Sequence, residues 1–157
     1  DPCTATLPNR AGDSFSGTVR YVGDGDSLCV GATSDPRTWI EVRLGDFDAP
    51  ELHSPDGARS KQFLEQVAFG HQASCRAQRG RSGRVIVWDR VIAVCRIDGR
   101  TIGDLLRGAG APIGGIGIGS AGTSAMPPAV LIAVAIGIWV PPQSSMPLSP
   151  GWPPEVA

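Results

Sequence analysis

The sequence predicts a small five-stranded β-barrel capped by helices, in the α+β class. Three strand-like segments precede the first amphipathic helix, two follow it, and the turns between them are short and rich in Gly and Asp. A parallel α/β sheet would need strand and helix to alternate throughout, and they do not. With 157 residues the chain is long enough for one domain with a proper core and short for two.

Residues 1–13, with Pro2, Pro8, Asn9 and Gly12, read as an irregular arm. Ser14 to Val22, carrying Phe15, Val19, Tyr21 and Val22, predicts a strand, and Ser27 to Val30 predicts its hairpin partner across the turn Asp24-Gly25-Asp26. From Trp39 to Leu44 the chain alternates, so that Trp39, Glu41 and Arg43 lie on the face opposite Ile40, Val42 and Leu44. Phe63, Leu64, Val67 and Ala68 recur at helical spacing between Asp56-Gly57 and Gly70, which predicts a helix over 58–69. Ser74 to Ala77 and the whole of Arg84 to Ile97 read as strands. Asp98-Gly99 then turns the chain into a short helix from Thr101 to Arg107, ended by Gly108 and Gly110. The folded domain is therefore expected over 14–110.

The tail, 111–157, is of another composition. It holds nine of the 14 prolines and only one charged residue, Glu155, around the apolar run Ala129 to Val140. That run has 12 residues, short of the ~18 needed to span a bilayer, so no membrane span is expected. All 14 basic residues and the other 14 acidic ones lie at or before Arg107, leaving the first part of the chain neutral. Neutrality argues against a wide basic binding surface more than against an enzyme that grips one or two phosphates locally.

The four cysteines show no CxxC spacing for zinc or an iron–sulfur cluster, and disulfides are the better reading. Folding at the turn Arg79 to Arg84 brings Cys75 opposite Cys95, and elimination pairs Cys3 with Cys29. Disulfides and a first residue that is Asp rather than Met lead us to expect a secreted or periplasmic protein.

The chemistry gathers in two loops. Asp26 in Val22-Gly23-Asp24-Gly25-Asp26-Ser27 and Asp48 in Arg43-Leu44-Gly45-Asp46-Phe47-Asp48-Ala49-Pro50-Glu51 offer two hard carboxylates from strand ends, and Arg43 and Glu51 stand beside them. Carboxylates suit a hard cation, and an arginine is suited to a phosphate. His53 and His71 are isolated and expected to be solvated. Arg76, Arg79, Arg81 and Arg84 are expected to form a basic hairpin loop in water, with substrate contact as the sharper alternative. The four tryptophans, Trp39, Trp88, Trp139 and Trp152, are expected in core or tail packing.

Those two loops, with Trp88-Asp89-Arg90 and the Val91 to Gly99 segment after it, resemble in order and spacing the staphylococcal nuclease (thermonuclease) family across 14–110. The resemblance implies an OB-fold and a monomeric, Ca²⁺-dependent nuclease that cleaves DNA and RNA by attack of water, leaving 3′-phosphates. It further implies that Asp26, Asp48 and the backbone carbonyl of Ala49 hold the calcium and that Arg43, Glu51 and Arg90 form the catalytic set. Ser27 stands where the family usually has Thr, Asp89 stands where it often has Gly, and the tail shows no third charged helix. A barrel that binds nucleic acid or protein but has lost turnover is the alternative.

Overall fold

The structure, a computed structural model, describes residues 1–114. The tail's apolar run, Trp139 and Trp152 lie outside the described residues. Five strands form the barrel: β1 (Ser14–Asp24), β2 (Ser27–Gly31), β3 (Trp39–Leu44), β4 (Gln72–Ala77) and, later in the chain, β6 (Arg90–Ile97). Their order is β3-β2-β1-β4-β6, and a parallel pairing of β3 with β6 closes the cylinder. This closed mixed barrel with two helices is an OB-fold of the α+β class, as expected.

Closure follows from the alternation of the strands. Val42, Leu44, Val91, Ala93, Cys95 and Leu28 point inward and are buried, whereas Arg43, Val94 and Arg96 stand on the outer face. Closing the sheet leaves few strand edges open, and α1 (Gly57–Ala68) covers one end of the core with Leu64 and Ala68. Ser60, one turn before Leu64 on the same stripe, is fully buried too.

The helix α2 (Ile102–Ala109) starts one residue later than expected, because Thr101 caps it through a side-chain bond from the Asp104 amide. It runs through Gly108 and stops at Gly110, which takes the left-handed conformation (φ 80°) that closes helix ends. Two short strands and a 3-10 turn (Pro36–Thr38) were not foreseen. β7 (Arg100–Thr101) pairs with β6, and β5 (Ile86–Val87) folds back on it.

β5 corrects the expectation of one strand over 84–97. The chain reverses at Trp88-Asp89, so that Val87 pairs with Arg90 and Ile86 with Val91. A two-residue hairpin turn demands positive φ at its first position, and Trp88 supplies it at 59° although a bulky residue seldom does. Trp88 is also 89% exposed, which overturns its expected place in the core.

Both disulfides form as expected. Cys75 and Cys95 are direct register partners on β4 and β6, with Cα atoms 4.0 Å apart. Cys3–Cys29 ties the N-terminal arm to β2, and backbone bonds from Thr4 to Pro36 and from Ala5 to Trp39 extend that attachment. Among the described residues no helix is long and apolar enough to cross a membrane.

Candidate functional site

The β1–β2 turn is built by its own side chains. The Asp24 carboxylate accepts from the Asp26 amide at 3.1 Å and from the Ser27 hydroxyl at 2.7 Å, closing the turn around Gly25. Gly25 is required by close approach: a Cβ there would overlap the Ser60 hydroxyl and the Ala49 side chain. The turn thereby rests on α1, and Asp26 is held 92% out of solvent at the head of β2. Asp24 keeps the turn role that the Asp-Gly-Asp pattern suggests.

The second loop meets the turn at Asp26. Its carboxylate accepts from the Ala49 amide at 2.9 Å, and the Leu44 amide bonds the Asp26 carbonyl at 2.8 Å. Arg43, paired in register with Ser27, reaches along the same outer face. One of its terminal nitrogens bonds the carbonyls of Leu44 (2.6 Å) and Phe47 (2.9 Å). The other faces two carboxylates, Asp26 at 3.2 Å and Asp48 in direct ion-pair contact. Four of the six expected site residues, Asp26, Arg43, Asp48 and Ala49, are therefore in one cluster.

For Ala49 it is the amide that faces Asp26. Its carbonyl packs against Gly114, whose own amide bonds the Asp48 carbonyl at 2.8 Å. Glu51 is exposed just beyond, its carbonyl capped by Ser54. Among the described residues no hydrogen bond or ion pair links Glu51 or Arg90 to the cluster. Arg90 stands on the outer face of β6 one residue before Val91, as Glu41 stands one residue before Val42, its partner in the parallel register.

Electrostatics separates the acids. Burial pushes Asp26 up to about 7, against the opposing pull of the Ala49 amide and of Arg43. Burial would raise Asp24 as well, but bonds from Ser27 and from the Asp26 side chain and amide, with the Arg90 charge, hold it below the usual carboxylate range. Glu41 is raised, first by burial and then by the Asp89 charge, with Arg90 and the N-terminus opposing. Asp46 also sits in this loop, where one carboxylate oxygen is buried without a hydrogen-bond partner.

Sequence reasoning missed two residues near the site, Glu41 and Ser60, and named Arg81 only as part of a basic hairpin loop without placing it at Asp48. Arg81, on the β4–β5 loop and 94% exposed, brings a guanidinium to 3.9 Å from the second Asp48 oxygen; nothing in its local pattern gave its aim. Glu41 shares Arg43's face and is 7% exposed, a burial that the alternation of β3 alone does not reveal. Ser60 was legible, because it continues the Leu64 and Ala68 stripe at helical spacing. His53 and His71 are exposed, as expected. Asp1, Cys3 and Cys29 lie close together, but both sulfurs are spent in a disulfide and offer no thiolate.

No protein-family model matches the chain, and no curated protein matches it significantly.

Proposed function

We propose that this chain is a Ca²⁺-dependent nuclease of the staphylococcal nuclease type, secreted or periplasmic, which hydrolyses phosphodiester bonds of DNA or RNA and leaves 3′-phosphates. The observation that carries the reading is Arg43, a guanidinium fixed by two backbone carbonyls and turned toward two carboxylates from separate loops. The donor set fits a hard divalent cation. Oxygens of Asp26 and Asp48 converge on one point, now taken by an arginine nitrogen, and carboxylate oxygen is the ligand type that calcium takes. When bound, the cation supplies charge neutralisation and an acidified water.

The residues divide the remaining work. Asp26 and Asp48 hold the cation; the Ala49 carbonyl, which the family resemblance implies as a third ligand, packs against Gly114, and it is the Ala49 amide that faces Asp26. With the carboxylates neutralised, Arg43 keeps its anchor to Leu44 and Phe47 and turns its other nitrogen to a phosphate oxygen. Holding such a donor in advance avoids reorganisation as negative charge builds on the phosphate. Glu51, exposed at the rim, orients the attacking water and accepts its proton. Arg90 contributes a second guanidinium from the β5–β6 hairpin, beside the exposed Trp88. The two disulfides suit an oxidising compartment.

One observation favours a second reading. Arg90 has Asp89 beside it and feels Asp24 and Glu41 rather than the cluster, which suits a barrel that binds nucleic acid or protein without turnover. Relaxation of supercoiled plasmid DNA with Ca²⁺, with a chelator, and with an Asp26→Asn/Asp48→Asn double variant separates the two. Cleavage in the first condition alone is expected. Folded wild-type protein that cuts nothing with Ca²⁺ would falsify the nuclease reading.

A further inference from the structure

On the side of the barrel formed by β1, β4 and β6 lies a groove of about 970 Å³ whose charged lining is entirely arginine: Arg76, Arg79 and Arg96. The register builds it in two rows. Ser14, Arg76 and Val94 are partners across the three strands, and so are Ser16, Ser74 and Arg96, all on outward-facing positions. Arg76 and Arg96 are thus diagonal neighbours, about 7–8 Å apart at their Cα atoms. Ser74 pairs with Arg96 and Ser14 with Arg76, so serine hydroxyls flank them, and among the described residues none of the three arginines has a carboxylate within 4.0 Å.

The floor of the groove leads to the acidic cluster. Gln78 lines the groove, and its side-chain amide packs against Gly45 in the loop that carries Asp48. Arg79 lines it too and donates to the Gly83 carbonyl at 2.9 Å, bracing the loop from which Arg81 approaches Asp48. Gln78 and Arg79 thus join the groove to the two loops that carry Asp48 and Arg81. Guanidinium groups without a carboxylate partner at that spacing, flanked by hydroxyls, suit successive phosphates of an extended polynucleotide. Three strands at 4.7–4.9 Å give this face a width of roughly 10 Å, which suits the backbone of one extended strand.

We propose that this groove is a binding track for the sugar-phosphate backbone of single-stranded nucleic acid, outside the catalytic cluster. It rests on the nuclease reading only for where the track leads, not for what it binds. Arg76 and Arg96 are both exposed.

The test is fluorescence anisotropy of a labelled oligothymidylate with the full chain, in chelator, across a salt series. Wild type is compared with Arg76→Ala/Arg96→Ala and with Arg76→Lys/Arg96→Lys. On a single strand each phosphate contact contributes ~0.7 to the slope of log K against log salt, so the alanine pair should flatten it by about 1.4 while the lysine pair keeps it. In parallel, Ca²⁺-dependent hydrolysis of thymidine 3′,5′-bis(p-nitrophenyl phosphate), too small to reach the groove, should be equal in all three. No oligothymidylate binding by wild type, or an unchanged slope in the alanine pair, overturns the proposal; so does an equal loss of small-diester hydrolysis. If wild type hydrolyses nothing but the slope still falls, the nuclease reading fails and the track stands.

Discussion

The acidic corner and the arginine groove are close in space and built in opposite ways. In the corner, the charge of Asp26 and Asp48 is met inside the chain by Arg43, which is itself tied to the Leu44 and Phe47 carbonyls. In the groove, Arg76 and Arg96 protrude from a regular sheet among serine hydroxyls and apolar side chains, and among the described residues neither has a carboxylate partner. Burial explains the contrast. A carboxylate that loses water must find a partner at once, so the corner is fixed by its own bonds, whereas a solvated arginine can wait for an anion from outside. The corner supplies geometry, and the groove supplies attraction.

The largest expected effect breaks the corner alone. Arg43→Ala should lower kcat by ~10²–10³-fold, the loss of about 2.7–4 kcal/mol that follows removal of one fixed transition-state donor, with a far smaller change in oligonucleotide affinity in chelator. Single-turnover rates beside anisotropy measure both; equal losses would erase the distinction between the regions.

Next comes the link under the groove floor. Replacing Cys75 and Cys95 together by Ala should cost about 2–5 kcal/mol, read from guanidinium unfolding midpoints, because the bridge joins β4 to β6 across the sheet. The groove should lose its salt slope only as the protein unfolds. A smaller effect belongs to the turn: Gly25→Ala forces a methyl against Ser60 and Ala49 and should destabilise by about 1–3 kcal/mol in thermal melts.

The finest probe is pH in the metal-free protein. Asp26 is raised to about 7 from its ordinary value of 3.8, so the folded state holds a proton that the unfolded state releases. Its contribution to stability is complete below about 3.8 and is lost as pH rises through about 7. Glu41, also raised, slopes the same way; Asp24, lowered, contributes above its unfolded value and loses that as pH falls. Unfolding midpoints should therefore decline between pH 4 and 7, and Asp26→Asn should flatten that decline. An unchanged decline in the variant would show that Asp26 is not the group responsible.

Much of the barrel was legible. Alternation located β3 to the residue, and the turn at Arg79 to Arg84 was enough to pair Cys75 with Cys95. The Trp88 reversal was not legible, because Val and Ile on both sides read as one strand and the left-handed residue is not the expected glycine. In the candidate site, Asp26, Arg43 and Asp48 were singled out from residue type and spacing, and they do meet. Glu51 and Arg90 were singled out in the same way and remain apart from them.

By itself the sequence determined which residues alternate, where the chain turns, and which residue types are available to hold a cation or a phosphate, because these depend on neighbours a few positions away. Tertiary structure alone decided which acid loses water. Asp24 and Asp26 lie two positions apart in one turn, yet only Asp26 is driven up to about 7, because α1 and the Ala49 loop close over it while Ser27 and Arg90 favour the charge on Asp24. The diagonal of Arg76 and Arg96 was decided the same way, by a strand register that long-range pairing sets and that no local pattern contains.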